Sequence, residues 1–235
     1  MKKLLILVFY LFPLLCFSKG GIHTIHTHPD LDDNNEVIIN GSINYYHIPD
    51  QISETTGNAL PMNTLYLNGS VEYSDSSGFD IGIQTQNLPI LGGGAQNYER
   101  DTYVNLSQTF KLTHKFKVIL GGQVGTVFNT SPRLHNADFI LLNYQIFNNL
   151  NLHAGSIWVN KQLALTTDSI LTTVGIAYTI NPTWRIEADY YSGKTNLSGA
   201  SISVFYNSIF FGILCPEHNS GNEFAGSVGF RFKFN

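Results

Sequence analysis

The chain has 235 residues, a formal net charge of −4 and 13% charged residues, about half the usual share of a soluble domain. This balance offers no basic face, so we exclude nucleic acid as a partner. Cys16 falls in an N-terminal signal pattern, so Cys215 is the only cysteine of the predicted mature chain. A single cysteine excludes an internal disulfide framework.

The chain begins with the pattern of a secretory signal peptide. Two lysines precede an apolar run over residues 4–17, and Cys16 and Ser18 occupy the two positions that signal peptidase reads. The run is too short to indicate a membrane-spanning helix. Leu15 is bulky where lipoprotein processing of Cys16 prefers a small residue, which disfavours lipidation. We predict a signal peptide over residues 1–18.

Residues 19–35 form a polar segment without periodicity, which predicts a flexible periplasmic N-terminal segment. Imidazole and carboxylate side chains are concentrated in it: His23, His26, His28, Asp30, Asp32 and Asp33. Imidazole suits Zn²⁺ or Cu²⁺. A flexible tail binds such ions weakly, so a solvated linker is the favoured interpretation. We predict no metal site and no cofactor.

Residues 36–234 alternate apolar and polar side chains with a period of two, the period of a β-strand. The mean hydropathy of −0.01 hides this alternation, because the two residue classes are interleaved. The predicted strands are Val37–Tyr46, Asn63–Tyr73, Phe79–Gln86, Thr102–Leu112, Phe116–Phe128, Asp138–Phe147, Leu150–Trp158, Ile170–Ile180, Trp184–Tyr191, Ala200–Tyr206, Ile209–Cys215 and Phe224–Phe234.

Short connections alternate strictly with longer ones along these strands. The short ones cover residues 74–78, 113–115, 148–149, 181–183 and 207–208, and all carry turn residues. The longer ones cover residues 47–62, 87–101, 129–137, 159–169, 192–199 and 216–222. Transmembrane barrels have short periplasmic turns and longer outer loops, so both chain ends are predicted to lie in the periplasm.

These patterns predict an all-β fold, a transmembrane antiparallel up-and-down β-barrel of about 12 strands over residues 36–234. The alternative is a soluble β-sandwich or lipocalin-like barrel, in which the apolar face points inward and the polar face meets water. The polar rows here hold few charges and many small residues, which favours a lumen over a solvated exterior.

The last strand places Phe230, Phe232 and Phe234 on one face and Arg231 and Lys233 on the other. Three aromatic residues spaced two apart are unusual for the end of a soluble protein. The order along this strand is a polar residue, a glycine and two aromatic residues spaced two apart: Ser227, Gly229, Phe232 and Phe234.

This pattern resembles the C-terminal recognition signal of Gram-negative outer-membrane proteins. The resemblance implies two partners, the barrel-assembly machinery that reads this strand and the lipid of the outer membrane. Asn235 departs from the pattern, in which the aromatic residue is usually terminal. The chain as a whole resembles a small porin-like barrel, without assignment to a specific family.

Charged side chains on the polar rows are the candidate lumen or selectivity residues: Glu72, Asp80, Arg185, Glu187, Asp189 and Arg231. Their first interpretation is an electrostatic constriction that selects solutes. The second is a salt-bridged plug that only satisfies buried charges. A barrel of about twelve strands is intermediate in width between small barrels with a filled interior and large barrels with a wide channel. Its width therefore does not decide between the constriction and the plug. His153 faces the lumen alone in this layout and is interpreted as a satisfied polar side chain.

His218 and Ser220 are the one hydrolase-like pair, since a histidine two residues from a serine resembles the pair of outer-membrane phospholipases and lipid A deacylases. The pair falls in a predicted loop and has no orienting acid, so a polar turn is the favoured interpretation.

We therefore predict a porin-like passive channel for small polar solutes or ions in the bacterial outer membrane, and not an enzyme. The alternatives are an outer-membrane lipid hydrolase that uses His218 and Ser220, and a closed structural or surface-interaction barrel.

Overall fold

The computed structural model describes residues 35–47, 63–91, 100–128, 133–159, 170–192, 199–216 and 224–234. These residues form twelve β-strands. The strands are β1 (Glu36–His47), β2 (Asn63–Ser74), β3 (Phe79–Leu91), β4 (Arg100–Lys111), β5 (Phe116–Phe128), β6 (Arg133–Phe147), β7 (Leu150–Val159), β8 (Ile170–Asn181), β9 (Trp184–Tyr191), β10 (Gly199–Tyr206), β11 (Ile209–Pro216) and β12 (Phe224–Phe234).

The strands form one closed barrel. Each strand pairs antiparallel with the next along the chain, and β1 pairs with β12 from Val37↔Phe234 to His47↔Phe224. This confirms the predicted all-β, up-and-down barrel of about 12 strands. Within the ranges given above, no helix is long and apolar enough to cross a membrane.

β3 is longer than predicted, because it continues past Gln86 to Leu91. Among the described residues its ladder with β4 ends at the pair Gln86↔Asp101, and the extension pairs with β2. Pro89 lies in this extension, where the register with β2 is irregular, and such irregular positions accept proline in a strand. The prediction of a loop over residues 87–101 was therefore too long.

β6 is also longer than predicted and begins at Arg133 instead of Asp138. The added residues continue the antiparallel pairing with β5 out to Val127↔Arg133. Ladder hydrogen bonds satisfy their backbone groups, although their side chains show little alternation.

Short turns join the strands at one end of the barrel, which we call the short-turn end: residues 75–78, 112–115, 148–149, 182–183 and 207–208. In the first of these turns the Asp75 carboxylate accepts hydrogen bonds from the Ser77 backbone N–H at 2.8 Å and the Phe79 N–H at 3.0 Å. These bonds and one from the Ser77 hydroxyl lower the pKa of the Asp75 carboxyl. Gly78 follows at φ 85°, a conformation that favours glycine.

The two faces of the barrel wall differ in chemistry. The outward rows expose large apolar side chains, for example Val71 at 53% and Ile83 at 58%. The inward rows are far less accessible, with Ile38 at 0% and Tyr103 at 1%. A soluble barrel would show a polar outer face, so this arrangement contradicts the soluble alternative and fits a hydrocarbon environment.

The interior contains an apolar sector that the sequence analysis did not predict. Ala137 of β6, Ile157 of β7 and Leu171 of β8 are almost fully buried, and Phe139 and Tyr191 pack against them. Full burial of an aliphatic side chain such as Ile157 or Leu171 contributes roughly 1.5–3 kcal/mol. This sector stabilises the barrel from within and leaves the polar side chains concentrated on other parts of the wall.

Several large inward side chains lie across a glycine of the neighbouring strand. A Cβ at Gly121 would overlap the ring of Phe139, and one at Gly229 would lie 2.5 Å from the ring of Phe210. The glycines therefore leave room for these rings against the neighbouring strand.

Candidate lumen site

The structure places all six candidate lumen residues on the inward rows of their strands. Five of the six have an exposed apolar residue next to them along the chain, namely Val71, Ile81, Trp184, Tyr190 or Phe230. Glu187 shares the inward row of β9 with Arg185 and Asp189. Five of the six fall into two groups that the sequence alone did not define. They are the β1–β4 cluster (Asn40, Ser70, Glu72, Ser74, Asp80 and Ser107) and the β7–β9 cluster (His153, Arg185, Glu187 and Asp189).

In the β1–β4 cluster, neutral donors surround the Glu72 carboxylate. The Ser70 hydroxyl donates to Glu72 Oε1 at 2.8 Å, and the Asn40 amide nitrogen lies 3.5 Å from the same oxygen. The Asn40 amide also donates to the Ser70 hydroxyl at 3.0 Å. The register pairs Asn40 with Ser70, which explains why the three side chains meet.

Asp80 lies beside Glu72 and is held in the same way. The Ser107 hydroxyl donates to Asp80 Oδ2 at 3.0 Å, and the Ser74 hydroxyl donates to Oδ1. The register places Ser74, Asp80 and Ser107 in one row across β2, β3 and β4. The carboxylates of Glu72 and Asp80 are close enough to repel each other, so this part of the wall presents concentrated negative charge.

In the β7–β9 cluster, residues from strands that are not adjacent make contact. His153 Nε2 of β7 lies 2.6 Å from Asp189 Oδ1 of β9. Gly175 of β8 lies between them in the register, and a Cβ there would overlap both side chains. The glycine therefore provides the space in which the pair forms.

The same cluster contains a second ion pair. The Arg185 guanidinium pairs with the Glu187 carboxylate, and both side chains are largely buried. The guanidinium carbon of Arg185 also lies 4.9 Å from the centre of the Phe205 ring, at cation–π distance. Fixed side chains of both charges thus line this part of the wall.

His153 is a satisfied polar side chain, as predicted, but it does not face the lumen alone, because it contacts Asp189. Sequence reasoning missed this contact because the two residues lie on different hairpins. The glycine at position 175 is the signal that was present, since an inward glycine permits side chains on both sides to meet above it.

Arg231, the sixth candidate, lies on β12 opposite Asn40, beside the β1–β4 cluster. Lys233 follows on the same row, with its Nζ atom 3.5 Å from Glu36 Oε2. Lys111 and Lys117 face each other in the register of β4 and β5 at the short-turn end. Positive side chains therefore occupy inward rows on both sides of the acidic β1–β4 wall.

The residues of the proposed assembly signal divide between the two faces of β12. Ser227 and Gly229 lie on the inward row, while Phe232 and Phe234 are exposed outward at 45% and 53%. The ring centres of Phe232 and Phe234 are 6.4 Å apart. The pattern thus combines a compact inner side with an aromatic outer side.

Several candidate residues lie outside the described residues, namely His218, Ser220 and the histidines of the N-terminal segment. The hydrolase hypothesis and the signal peptide therefore stay predictions. In the part of the chain that the structure describes, no group of three or more histidine, cysteine or acidic side chains is arranged to hold a metal ion.

No protein-family model and no curated protein matches the chain. Among solved structures it is similar to the KdgM porin, with 13% identity and a TM-score of 0.54 over 83% of this chain and 99% of that chain. It is also similar to the NanC porin, with 13% identity and a TM-score of 0.54 over 84% of this chain and the whole of that chain. At this identity the likeness shows the fold alone, which is the barrel fold of these porins.

Proposed function

We propose that the chain is a bacterial outer-membrane barrel that acts as a passive channel for small polar solutes or ions. The observation that carries this proposal is the contrast between the two faces of the wall. An apolar belt surrounds the barrel, while hydrogen-bonded polar and charged side chains occupy the inward rows. This combination suits a polar passage through hydrocarbon.

Passive transport needs no chemical step, only an interior that replaces part of the hydration of the solute. Hydroxyl and amide groups on the inward rows, such as Ser70, Asn40 and Gln84, provide donors and acceptors for this purpose. Fixed charges act strongly in a narrow passage with low-dielectric walls. We therefore assign the control of solute charge to the six candidate lumen residues, Glu72, Asp80, Arg185, Glu187, Asp189 and Arg231.

The solute class follows from the balance of these charges. Acidic and basic side chains both occupy the inward rows, and the Arg185–Glu187 and Lys233–Glu36 pairs join opposite signs. The similar KdgM porin was solved in complex with oligogalacturonate. The mixed charges here favour small polar solutes or ions over one strongly charged class.

Insertion into the membrane belongs to the same proposal. We assign recognition by the barrel-assembly machinery to β12, through Ser227, Gly229, Phe232 and Phe234. The outward rings of Phe232 and Phe234 are available to that partner and later to lipid. Both ends of the barrel sequence, Glu36 and Phe234, lie at the short-turn end, which we assign to the periplasmic side.

A closed structural barrel is the second candidate, because many inward side chains are deeply buried. Leu141 is 1% exposed, and Asn143 beside it is 4% exposed. Side chains that cover one another in this way narrow the interior. A barrel filled along its whole length would carry its function on the outer loops.

Single-channel conductance of the refolded protein in a planar bilayer tests the proposal. Heat-modifiable electrophoretic migration of the same sample serves as the control for folding. We expect stable, reproducible conductance steps. Folded protein that produces no steps would contradict the channel and favour the closed barrel.

A further inference from the structure

His153 and Asp189 form a contact that the channel proposal does not require. Their atoms Nε2 and Oδ1 are 2.6 Å apart, on the inner wall, with side-chain exposures of 8% and 22%. The contact spans β8, which contributes only Gly175 at that position. An inward histidine and an inward aspartate are therefore held together at a fixed place in the passage.

The hydrogen-bonding chemistry of the two side chains determines which atom carries the hydrogen of their contact. An ionised carboxylate only accepts hydrogen bonds, so the hydrogen of the contact is on His153 Nε2. A further proton from water then binds Nδ1, and the ring becomes an imidazolium. Imidazole is the side chain whose charge changes between pH 5 and 8 in its ordinary state.

The charged groups around His153 determine how its protonation changes the local net charge. β9 contributes Arg185, Glu187, Asp189 and Tyr191, and Glu187 is close enough to His153 for electrostatic interaction. β8 contributes Thr173, Gly175 and Ala177, which are uncharged. β6 contributes Leu141, Asn143 and Gln145, also uncharged, with Lys117 of β5 opposite Asn143.

The β7–β9 cluster therefore changes its net formal charge with one proton. With neutral His153, Glu187 and Asp189 outweigh Arg185 by one negative charge. With protonated His153 the formal charges of the four side chains sum to zero. The change occurs at one position on the wall.

We propose that His153 and Asp189 form a proton-dependent selectivity site, in which protonation of His153 reduces the preference of the channel for cations. This inference rests on the proposed channel function and adds His153 to the residues that determine its specificity. The ligands of the site are the proton and the permeating small cation.

The expected effect follows from the field of one charge. A unit charge about 6 Å from the path of an ion, at the dielectric constant of water, changes its local concentration roughly threefold. The cation gains and the anion loses by this factor, so we expect the permeability ratio of K⁺ to Cl⁻ to rise roughly tenfold between pH 5 and pH 8.

The test is the reversal potential in a KCl gradient at pH 5, 6, 7 and 8, measured on the full chain, His153→Gln and His114→Gln. His114 lies in the exposed turn between β4 and β5, so His114→Gln is the matched control. We expect a pH-dependent ratio in the wild type and in His114→Gln, and a weaker pH dependence in His153→Gln. The same pH dependence in His153→Gln as in the wild type would overturn the inference.

Asp189→Asn provides a second variant that keeps the histidine. It removes one negative charge at every pH, so we expect its permeability ratio at pH 8 to fall by roughly the same tenfold factor. A ratio at pH 8 equal to that of the wild type would also overturn the inference. Silence of the folded wild type at every pH would instead overturn the channel function, and the selectivity site with it.

Discussion

Gly175 is the residue whose missing side chain makes room for the contact between His153 and Asp189. The atoms that a Cβ would overlap are the ends of two side chains, not backbone. Such atoms can rotate away, so a substitution at this position acts on the pair more than on the strand.

We predict that Gly175→Ala separates the pair and leaves the barrel folded. The cost in the free energy of unfolding should be about 1 kcal/mol, at the low end for an overpacked site. The pH dependence of ion preference should become weaker than in the wild type, because a displaced His153 no longer holds its charge at the same place on the wall. Urea titration and reversal potentials check the two effects.

Gly69→Ala is the control for this prediction, because a Cβ at Gly69 would meet only one atom, at an ordinary distance of 3.7 Å. It should keep the pH dependence of the wild type. A Gly175→Ala variant that also keeps that dependence would show that the contact has no part in selectivity.

The sequence predicts individual residues of the site better than it predicts their contacts. Alternation alone assigns Glu187 and Asp189 to the inner face. The two-residue turn at 182–183 would place Asp189 opposite Ile176, and a register shift between Thr179 and Asn181 brings it opposite Gly175 instead. The register of His153 against Gly175 depends on β7 and β8, which a long connection joins. No turn fixes that register, so the pair was not predictable from local sequence.

At the scale of the strand, the important property is that the two faces of each strand meet different environments. In β5, Val124 is exposed outward at 45%, while the neighbouring Gln123 faces inward and accepts a hydrogen bond from Gln84 at 3.0 Å. One residue therefore separates a hydrocarbon environment from a polar one. This contrast explains why alternation located the strands even though hydropathy averages did not.

We predict that Val124→Arg destabilises the barrel in lipid and that Gln123→Arg does so much less. Arginine on the lipid face near the middle of a membrane strand costs roughly 2–4 kcal/mol, while a lumen position solvates it. Urea unfolding in lipid vesicles measures both variants. Equal destabilisation by the two substitutions would contradict the assignment of the outer face to lipid.

The strand boundaries were predicted least accurately at the ends next to the long connections. Residues 87–91 and 133–137 were predicted as loop, because they contain Pro89 or alternate poorly, yet they continue the ladders of β2–β3 and β5–β6. Their pairing is determined by the neighbouring strand and not by their own side chains. The apolar sector around Leu171 was missed for a related reason, since alternation does not reveal which inward side chains pack together.

At the scale of the whole molecule, charge on the inner wall is distributed unevenly. The acidic β1–β4 cluster lies between basic side chains of β12 on one side and of β4 and β5 on the other, and the β7–β9 cluster adds two acids and Arg185. Neutralising a few positions should therefore change which ions pass without altering the fold.

We predict that the double variant Arg185→Glu and Arg231→Glu shifts ion preference toward cations. Each reversal removes a positive charge and adds a negative one, so the ratio of K⁺ to Cl⁻ permeability should rise by about tenfold or more. Arg231→Glu alone should shift it in the same direction and keeps the Arg185–Glu187 pair intact.

Lys115→Glu is the control for the double variant, because Lys115 is exposed in the short turn between β4 and β5. It should leave the reversal potential close to that of the wild type. An unchanged reversal potential in the double variant would remove Arg185 and Arg231 from selectivity.

The pairing of β1 with β12 also determines the order of events during folding. Val37 and Phe234 are neighbours in the barrel but about 200 residues apart along the chain, and closing such a loop costs roughly 5 kcal/mol in entropy. We therefore expect the N-terminal strand to keep an unpaired edge until β12 becomes available for pairing. Unpaired edges invite association with other chains. Barrel closure is thus a late, all-or-none event, and an export intermediate that lacks β12 should accumulate as an aggregation-prone chain.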